Sequence, residues 1–326
     1  MHQGSKKTGQ ASLVAVVVTY NRLAQLKTTL ACLLAHPPEL LRAVVVVDNA
    51  SGDATAGWLG GQDDARLLVH RLAENLGGAG GFEAGMRAAV DRFDPDWIVV
   101  MDDDARPRPG ALAAFHGKPR SKDTALAAAV YYPDGKVCEM NRPALNPVWH
   151  RAVFLRSLTG GRGGFHLADT AYRAHRPSPV DMSSFVGLFL SREIIGQAGY
   201  PDRRLFLYGD DVIYTLEMRR KGLKLHFEPE IGFEHDCTTF ADDRARAFRP
   251  IWKVYYTYRN GLIRYRAMVG PLVWLLLPLL ALKWYRAAGR YGADRKTYLR
   301  LMRRAIGDGI RGDLRRRHGE VLALAR

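Results

Sequence analysis

The residues of this chain that could do chemistry are carboxylates placed at the ends of apolar runs. Ile98-Val99-Val100-Met101 stops abruptly in three consecutive acids, Asp102, Asp103 and Asp104. The run has the length and β-branched content of a buried strand. Side chains alternate along an extended chain, so Asp102 and Asp104 can share one side and Asp103 takes the other. Two carboxylates on one side form a hard, oxygen-rich cation site suited to Mg2+ or Mn2+. Taken alone, the triplet reads equally well as a solvated acidic turn. A second acidic pair, Asp210-Asp211, follows the aromatic-rich stretch Leu205-Phe206-Leu207-Tyr208-Gly209. It precedes a helix predicted over 212–221 and ended by Gly222, and acids at a helix start are also favoured by its dipole. His235 closes an apolar segment between Glu234 and Asp236, which makes it a candidate metal ligand or a structural histidine.

The elements around these residues predict an α/β fold. Strands are expected at 13–18, 43–47, 67–70 and 98–101, alternating with helices at 23–34 and from Gly77 to about Arg92. Asn21 is a possible cap for the first helix. Strands that are apolar throughout and alternate with helices mean a parallel sheet covered on both faces. Ligands of such sheets bind at the strands' C-terminal ends. Thr19-Tyr20-Asn21, Asp48-Asn49, Asn75-Gly77-Gly78 and Asp102–Asp104 all fall there. The glycine stretch 77–85 does not match GxGxxG and carries no P-loop lysine, which disfavours a dehydrogenase or an NTPase. Glycines opening a helix still let a phosphate or sugar approach backbone N–H groups; a flexible turn is the alternative. Further on, strands are expected at 125–132 and 136–140 around a Pro133-Asp134-Gly135 turn, and a mobile loop at 160–164. The apolar run 180–190 should re-enter the sheet, Ser191 should open a helix ending near Gly199, and short strands should follow at 225–227 and 231–233.

The 326 residues allow one large domain with an appendage, or two domains. Three cysteines, Cys32, Cys138 and Cys237, without a CxxC pair argue against a disulfide framework or a zinc knuckle and fit a reducing cytosol. The first apolar run is too short for a signal peptide, so no secretion is expected. Net charge is +15 and unevenly spread: from Arg244 onwards there are 20 Lys+Arg against 4 Asp+Glu. A near-neutral body with a basic tail predicts one segment that meets a polyanion. The uncharged stretch 267–282 would measure roughly 24 Å as a helix, short of a bilayer core of about 30 Å. Flanking Arg264, Arg266, Lys283 and Arg286, with Trp274, Trp284 and Tyr285, favour lying on an anionic leaflet; spanning it, or packing on the body, are the alternatives. No nucleic-acid-binding motif accompanies the basic residues, so no nucleic-acid partner is predicted.

The order strand-Thr-Tyr-Asn-Arg, Val-Asp-Asn-Ala-Ser, Asn-Leu-Gly-Gly-Ala-Gly-Gly, Met-Asp-Asp-Asp, Tyr-Gly-Asp-Asp and a downstream His resembles the inverting family 2 glycosyltransferases with a GT-A fold. Asn75 to Met86, Arg204-Leu205-Phe206 and Tyr256-Thr257-Tyr258-Arg259-Asn260 are most similar to bacterial galactofuranosyltransferases. The resemblance covers roughly residues 12–265. It implies that Asp102 and Asp104 form the metal-holding DXD motif and that His235 is the metal-binding histidine. Asp48 would recognise uracil or ribose, Thr19 and Arg22 would line the same nucleotide pocket, and Asn75, Gly77 and Gly78 would approach the donor. Asp103 would contact ribose or support its neighbours. Asp211 matches the general base, with Asp210 beside it. A mixed carboxylate and imidazole site tilts the metal towards Mn over Mg.

The organisation expected is a disordered stretch 1–11, a GT-A catalytic domain 12–243 and a basic, helical, membrane-associating region 244–326. The activity implied is transfer of galactofuranose from UDP-galactofuranose to a polysaccharide or polyprenyl-diphosphate-linked acceptor, on the cytoplasmic face of the membrane. A rhamnosyltransferase using dTDP-rhamnose, and a catalytically silent glycan- or membrane-binding protein on the same scaffold, are the alternatives.

Overall fold

The computed structural model describes residues 10–237 and 247–326. The disordered segment expected over 1–11 lies outside the described residues except for its last two. The 243/244 boundary lies outside them altogether. The chain runs β1 (Leu13–Thr19), α1 (Leu23–Leu34), β2 (Ala43–Asp48), α2 (Thr55–Gly60), β3 (Leu67–Arg71), α3 (Gly77–Phe93) and β4 (Trp97–Asp102). It continues through β5 (Ala105–Pro107), α4 (Ala111–His116), β6 (Thr124–Tyr131), α5 (Arg151–Gly160), α6 (Asp169–Tyr172), β7 (Ser178–Pro179) and β8 (Leu188–Ser191). Then come α7 (Arg192–Ala198), α8 (Asp210–Arg220), β9 (Lys224–His235), α9 (Lys253–Val269), α10 (Val273–Ala287), α11 (Arg295–Arg311) and α12 (His318–Ala325).

The strands form one mixed sheet in the order β3-β2-β1-β4-β8-β6-β9-β5, with β7 on β9. β3, β2, β1 and β4 are parallel, and β6 pairs β9 in parallel, while β8 runs antiparallel to both β4 and β6. The all-apolar strands expected from the sequence are buried end to end, Leu13–Thr19 and Ala43–Asp48 without exception. Alternate residues feed two cores: Val14, Val16 and Val45 face α3, while Ala15, Val17 and Val44 face α1.

Several local expectations are corrected. Residues 136–140 form no strand; Val137 makes one bridge to Tyr131, and a 3-10 turn follows at Glu139–Asn141. Residues 160–164 are not a loop but the end of α5 and a 3-10 turn, Gly161–Gly164. Only Leu188–Ser191 of the 180–190 region enters the central sheet as a strand. The two strands expected at 225–227 and 231–233 are one, β9, whose pairing with β6 skips from Glu228 to Gly232. The skip accommodates Pro229, which has no N–H for the ladder. Asn21 does not cap α1. It sits at φ 54°, and its side-chain oxygen accepts from Gly52 N (2.7 Å), tying the β1 loop to the β2 loop.

The tail is a helical layer with its own core of Tyr255, Tyr256, Tyr258, Tyr298, Leu301 and Met302. The uncharged stretch 267–282 is broken at Gly270 (φ 61°). Ala267 and Met268 pack against the catalytic body beside Ala144 and Leu216. α10 does not: of its residues only Val273 and Trp284 are buried. The alternative in which the whole stretch packs on the body is therefore excluded.

α3 approaches the sheet through glycine. A Cβ at Gly85 would lie 2.5 Å from Val16 Cγ1 and 2.7 Å from Val47 Cγ2, and one at Gly81 2.5 Å from Val18 Cγ1. Gly57, in α2, faces open space. Gly85→Leu should therefore lower stability by about 1–3 kcal/mol through overpacking. Gly57→Ala should raise it by roughly 0.5–1 kcal/mol through helix propensity. Denaturant midpoints of the two variants check both.

Candidate active site

The sheet's C-terminal edge gathers most of the predicted residues. Thr19 ends β1 opposite Asp48 at the end of β2, and Val18 pairs with Asp102 at the end of β4. The chain then turns through Asp103 and Asp104 into β5, which runs antiparallel to β9 and sets Ala105 opposite His235. Asp236 N donates to Asp104 O at 2.9 Å and locks this corner. Residues 131 positions apart thereby meet: His235 Nε2 lies 3.1 Å from Asp104 Oδ1.

Asp102, Asp104 and His235 each offer a ligand atom, and those atoms lie within 4.8 Å of one another. Asp103 points elsewhere. Its Oδ2 accepts from Thr19 Oγ1 at 2.7 Å, and its Oδ1 is 3.2 Å from Arg22 Nη1. The other Arg22 nitrogen, Nη2, donates to Asp104 Oδ2 at 2.7 Å. Thr19, Arg22 and Asp103 thus hold one another and Asp104 in place.

The electrostatics follow from crowding acids in a buried corner. Burial, with Asp104 beside it, pushes Asp102 up to about 7. Burial raises Asp103 to about 6 against the pull of Arg22 and Thr19. Burial opposes the charged form of His235, but Asp104 and Cys138 hold it at about 10. Asp104 stays below the ordinary range despite burial, because His235 and Arg22 both pair with it. Excess buried negative charge with one imidazole is the donor set a divalent cation fits.

Asp48 is fully buried; its Oδ1 accepts from Ser51 N at 2.8 Å. Its Oδ2 has no hydrogen bond among the described residues, and the Arg71 guanidinium is 3.5 Å away. Asn75 Oδ1 accepts from Gly77 N at 2.8 Å. Gly77, at φ 71°, packs on Phe206: a Cβ there would lie 2.0 Å from its carbonyl oxygen. That same oxygen accepts from Ala79 N. The opening of α3 is thus partly taken up by the loop before Asp210, while Gly78 faces open space.

Asp210 and Asp211 form the first turn of α8, two residues earlier than expected, after Gly209 at φ 79°. Burial raises both carboxyls; Asp211 adds to the rise at Asp210, while Val212 N–H and Arg264 restrain Asp211. Asp211 lines a cavity of about 340 Å³ with Asn141, His166, Ser183, Ser184 and Arg264, whereas Asp210 does not. Asn141 joins the two halves of the site, since its Oδ1 also lies 2.7 Å from His235 Nδ1.

The sequence motif Arg259-Asn260 had no assigned task, and the structure gives it one. The loop before Asp210 is strained, with Phe206 at φ 65° and Tyr208 at φ 69°. Asn260 Nδ2 donates to the carbonyls of Leu205, Leu207 and Tyr208 (2.7–3.0 Å), and Arg259 Nη2 to those of Arg204 and Leu205. Both side chains are buried on α9. Phe206 stacks on Tyr256 and His318 of the tail.

The Glycosyl transferase family 2 model matches residues 14–169. Galactofuranosyltransferase GlfT1 of Mycobacterium tuberculosis is 30% identical over 263 residues, 76% of this chain and 80% of that protein. The chain is a family 2 glycosyltransferase. The N-acetylglucosaminyl-diphospho-decaprenol L-rhamnosyltransferase of the same organism is also 30% identical, over 83% of this chain and 91% of its own length. Among solved structures, the mannosyltransferase PcManGT of Pyrobaculum calidifontis, in complex with GDP-Man and Mn2+, superposes with a TM-score of 0.53 at 16% identity. It covers 94% of this chain and 88% of that one. S. aureus TarS 1-349 in complex with UDP-GlcNAc gives 0.53 at 15% identity, over 96% and 83%. These likenesses establish the GT-A fold.

In this glycosyltransferase, Asn260→Ala should take the Asn260 donor from the carbonyls of Leu207 and Tyr208 and release the strained loop. Stability should fall by about 1–3 kcal/mol. Turnover should fall by at least about tenfold at temperatures where the variant is fully folded, because misplacement by an ångström costs up to about 10²-fold. Comparing rates well below both thermal midpoints separates the two effects.

Proposed function

We propose that the chain transfers galactofuranose from UDP-galactofuranose to a hydroxyl of a polysaccharide or polyprenyl-diphosphate-linked acceptor, with inversion at the anomeric carbon. The observation that carries this reading is the convergence of Asp102, Asp104 and His235 beside a cavity lined by Asp211. The chain's 30% identity to a galactofuranosyltransferase supports the sugar. Asp48, with an unsatisfied buried oxygen, is suited to a donor group of uracil or ribose. Arg22, Thr19 and Asp103 hold the turn that carries Asp104. Asn75, Gly77 and Gly78 border the donor crevice.

Asp102, Asp104 and His235 would hold a divalent cation, Mn2+ in preference to Mg2+ because one ligand is an imidazole. When bound, that cation neutralises charge on the leaving diphosphate. The acceptor O–H attacks the anomeric carbon as the bond from that carbon to the diphosphate oxygen breaks. The bonding electrons leave with UDP, so a general acid is unnecessary. Asp211 takes the hydroxyl proton; Asp210, buried beside it, keeps the pair electrostatically coupled. Asp211 is assigned the base because it faces the cavity. The rhamnosyltransferase relative favours a second reading, transfer from dTDP-rhamnose.

A peripheral location on the inner face of the cell membrane accompanies this activity. The helical run Lys253–Arg311 is long and apolar enough to cross a membrane by length and composition. It is bent at Gly270 and at Gly292. α10 exposes Trp274, Leu275, Leu279, Leu282 and Tyr285 within a strongly basic tail. An apolar face flanked by arginine suits an anionic leaflet.

UDP should be released from UDP-galactofuranose in the presence of Mn2+ and a glycolipid acceptor, and more slowly from a panel of other nucleotide sugars; faster turnover of dTDP-rhamnose would select the second reading. Asp211→Asn should lower kcat by about 10²–10⁴-fold. Because burial raises the Asp211 pKa, the acid limb of kcat at saturating Mn2+ should lie above the usual Asp value of about 3.9, with activity rising as pH increases. Full activity of Asp211→Asn would remove the base assignment. The membrane reading predicts that Leu275→Asp with Leu279→Asp abolishes flotation with phosphatidylglycerol vesicles.

A further inference from the structure

His235 has a second set of neighbours that the transfer reaction does not use. Cys138, Cys237 and His235 are all buried, and each offers a ligand atom within 4.8 Å of the other two. Cys237 follows His235 by two residues as the chain leaves β9. Cys138 is fixed from the other side, its N–H donating to Val130 O at 2.9 Å. No CxxC spacing announces this pair; the fold brings together cysteines 99 positions apart.

The imidazole stands between hard and soft donors. Its Nε2 faces Asp104. Its Nδ1 faces Asn141 Oδ1, to which the Cys138 thiol also donates at 3.0 Å. Asn141 is itself oriented by Nδ2 donating to Ser184 Oγ at 2.9 Å. A neutral imidazole has one lone pair available for a metal. With Nδ1–H donated to Asn141, that lone pair sits on Nε2, towards Asp102 and Asp104. Thiolates select Zn2+ over Mn2+, and the Irving–Williams order reinforces the preference.

We propose that Cys138, Cys237 and His235 form a soft-metal site that takes Zn2+, in competition with the carboxylate site for the single imidazole. Zn2+ takes Nδ1 in place of its bond to Asn141, so binding releases both thiol protons and the Nδ1 proton of the imidazolium to solvent and leaves a fourth position for water. Tetrahedral Zn2+ with Zn–S of about 2.3 Å places its sulfurs ~3.8 Å apart, so the three ligands close by no more than about an ångström. With Nδ1 on Zn2+, Nε2 keeps its proton against Asp104 and cannot ligate the donor-side cation, so occupancy slows transfer. This inhibitory half rests on the reading of His235 as a ligand of the donor-side cation; the binding half does not.

Reduced full-length protein titrated with Co2+ reads the site directly. Wild type should show a thiolate-to-cobalt charge-transfer band that Zn2+ bleaches at one equivalent. Cys138→Ser and Cys237→Ser, with thermal midpoints confirming that they fold, should lose it. In wild type, Zn2+ should raise the apparent KM for Mn2+ at least tenfold, and a zinc chelator should restore it. The doubly substituted chain should be at least tenfold less sensitive to Zn2+. Absence of the band in wild type, or its survival in both serine variants, overturns the site. Zinc sensitivity unchanged in the doubly substituted chain overturns the competition. If no Mn2+-dependent transfer occurs at all, the activity reading fails while the cobalt spectrum still decides the site.

Discussion

Charge compensation at the end of β4 is the constraint on which the rest of the site depends. Three carboxylates in succession leave a buried strand, and none can stay ionised there without a partner. Arg22 reaches across from β1 to pair with Asp103 and Asp104, Thr19 satisfies Asp103, and His235 arrives from β9 to meet Asp104. Among the described residues Asp102 has no such partner, and its carboxyl is the one pushed to about 7. Removing one member of a buried ion pair costs about 3–5 kcal/mol, so these positions are tied together energetically. The same shortage of positive charge that makes the corner costly to fold makes it receptive to a divalent cation.

A second constraint joins the catalytic body to its tail. The loop before Asp210 uses two non-glycine residues in the left-handed region, each costing about 1–3 kcal/mol. Such a loop persists only if its surroundings determine it, and here they do so through a helix that the charge pattern assigns to a separate appendage. Arg259 and Asn260 consume the loop's carbonyls, while Phe206 is shared between Gly77 on one side and Tyr256 and His318 on the other. The helical layer whose α10 exposes an apolar face therefore also sets the position of the acidic pair, through α9 and α12. Division of the chain at 243/244 describes its composition better than its mechanics.

What the sequence made legible follows from how local each signal is. The strands ending in Thr19, Asp48 and Asp102 were readable because burial on both faces demands uninterrupted apolar residues. The gathering of polar groups at the sheet's C-terminal edge was readable because polar clusters end such strands. The pairing of Asp102 with Asp104 was expected from strand alternation, yet Asp104 lies beyond the end of β4; the turn into β5, held by β9, brings it to His235. Alternation reached a pair that the structure does bring together, through an incomplete reason. Residues 136–140 failed as a strand because a short apolar run carries no information about an available partner edge. Glycines 81 and 85 invited a phosphate-binding reading but serve close helix-to-sheet approach, which depends on Val16, Val18 and Val47 across the core.

The cysteines show the same limit from the opposite side. Spacing rules for zinc sites detect ligands that are neighbours in sequence, and by that test Cys138 and Cys237 are unrelated. Their relation is created by β6 pairing with β9, the widest parallel ladder in the sheet, which sets the turn after Tyr131 beside the end of β9. His235 directly follows the last pair of that ladder, Tyr131 with Glu234, so its two nitrogens face the products of two different chain crossings: the acidic turn after β4, and the turn after β6. A single imidazole cannot offer a lone pair in both directions. Asn141, by holding the proton on Nδ1, commits the ring to the carboxylates, and the amide's own bond to Ser184 makes that commitment part of the fold.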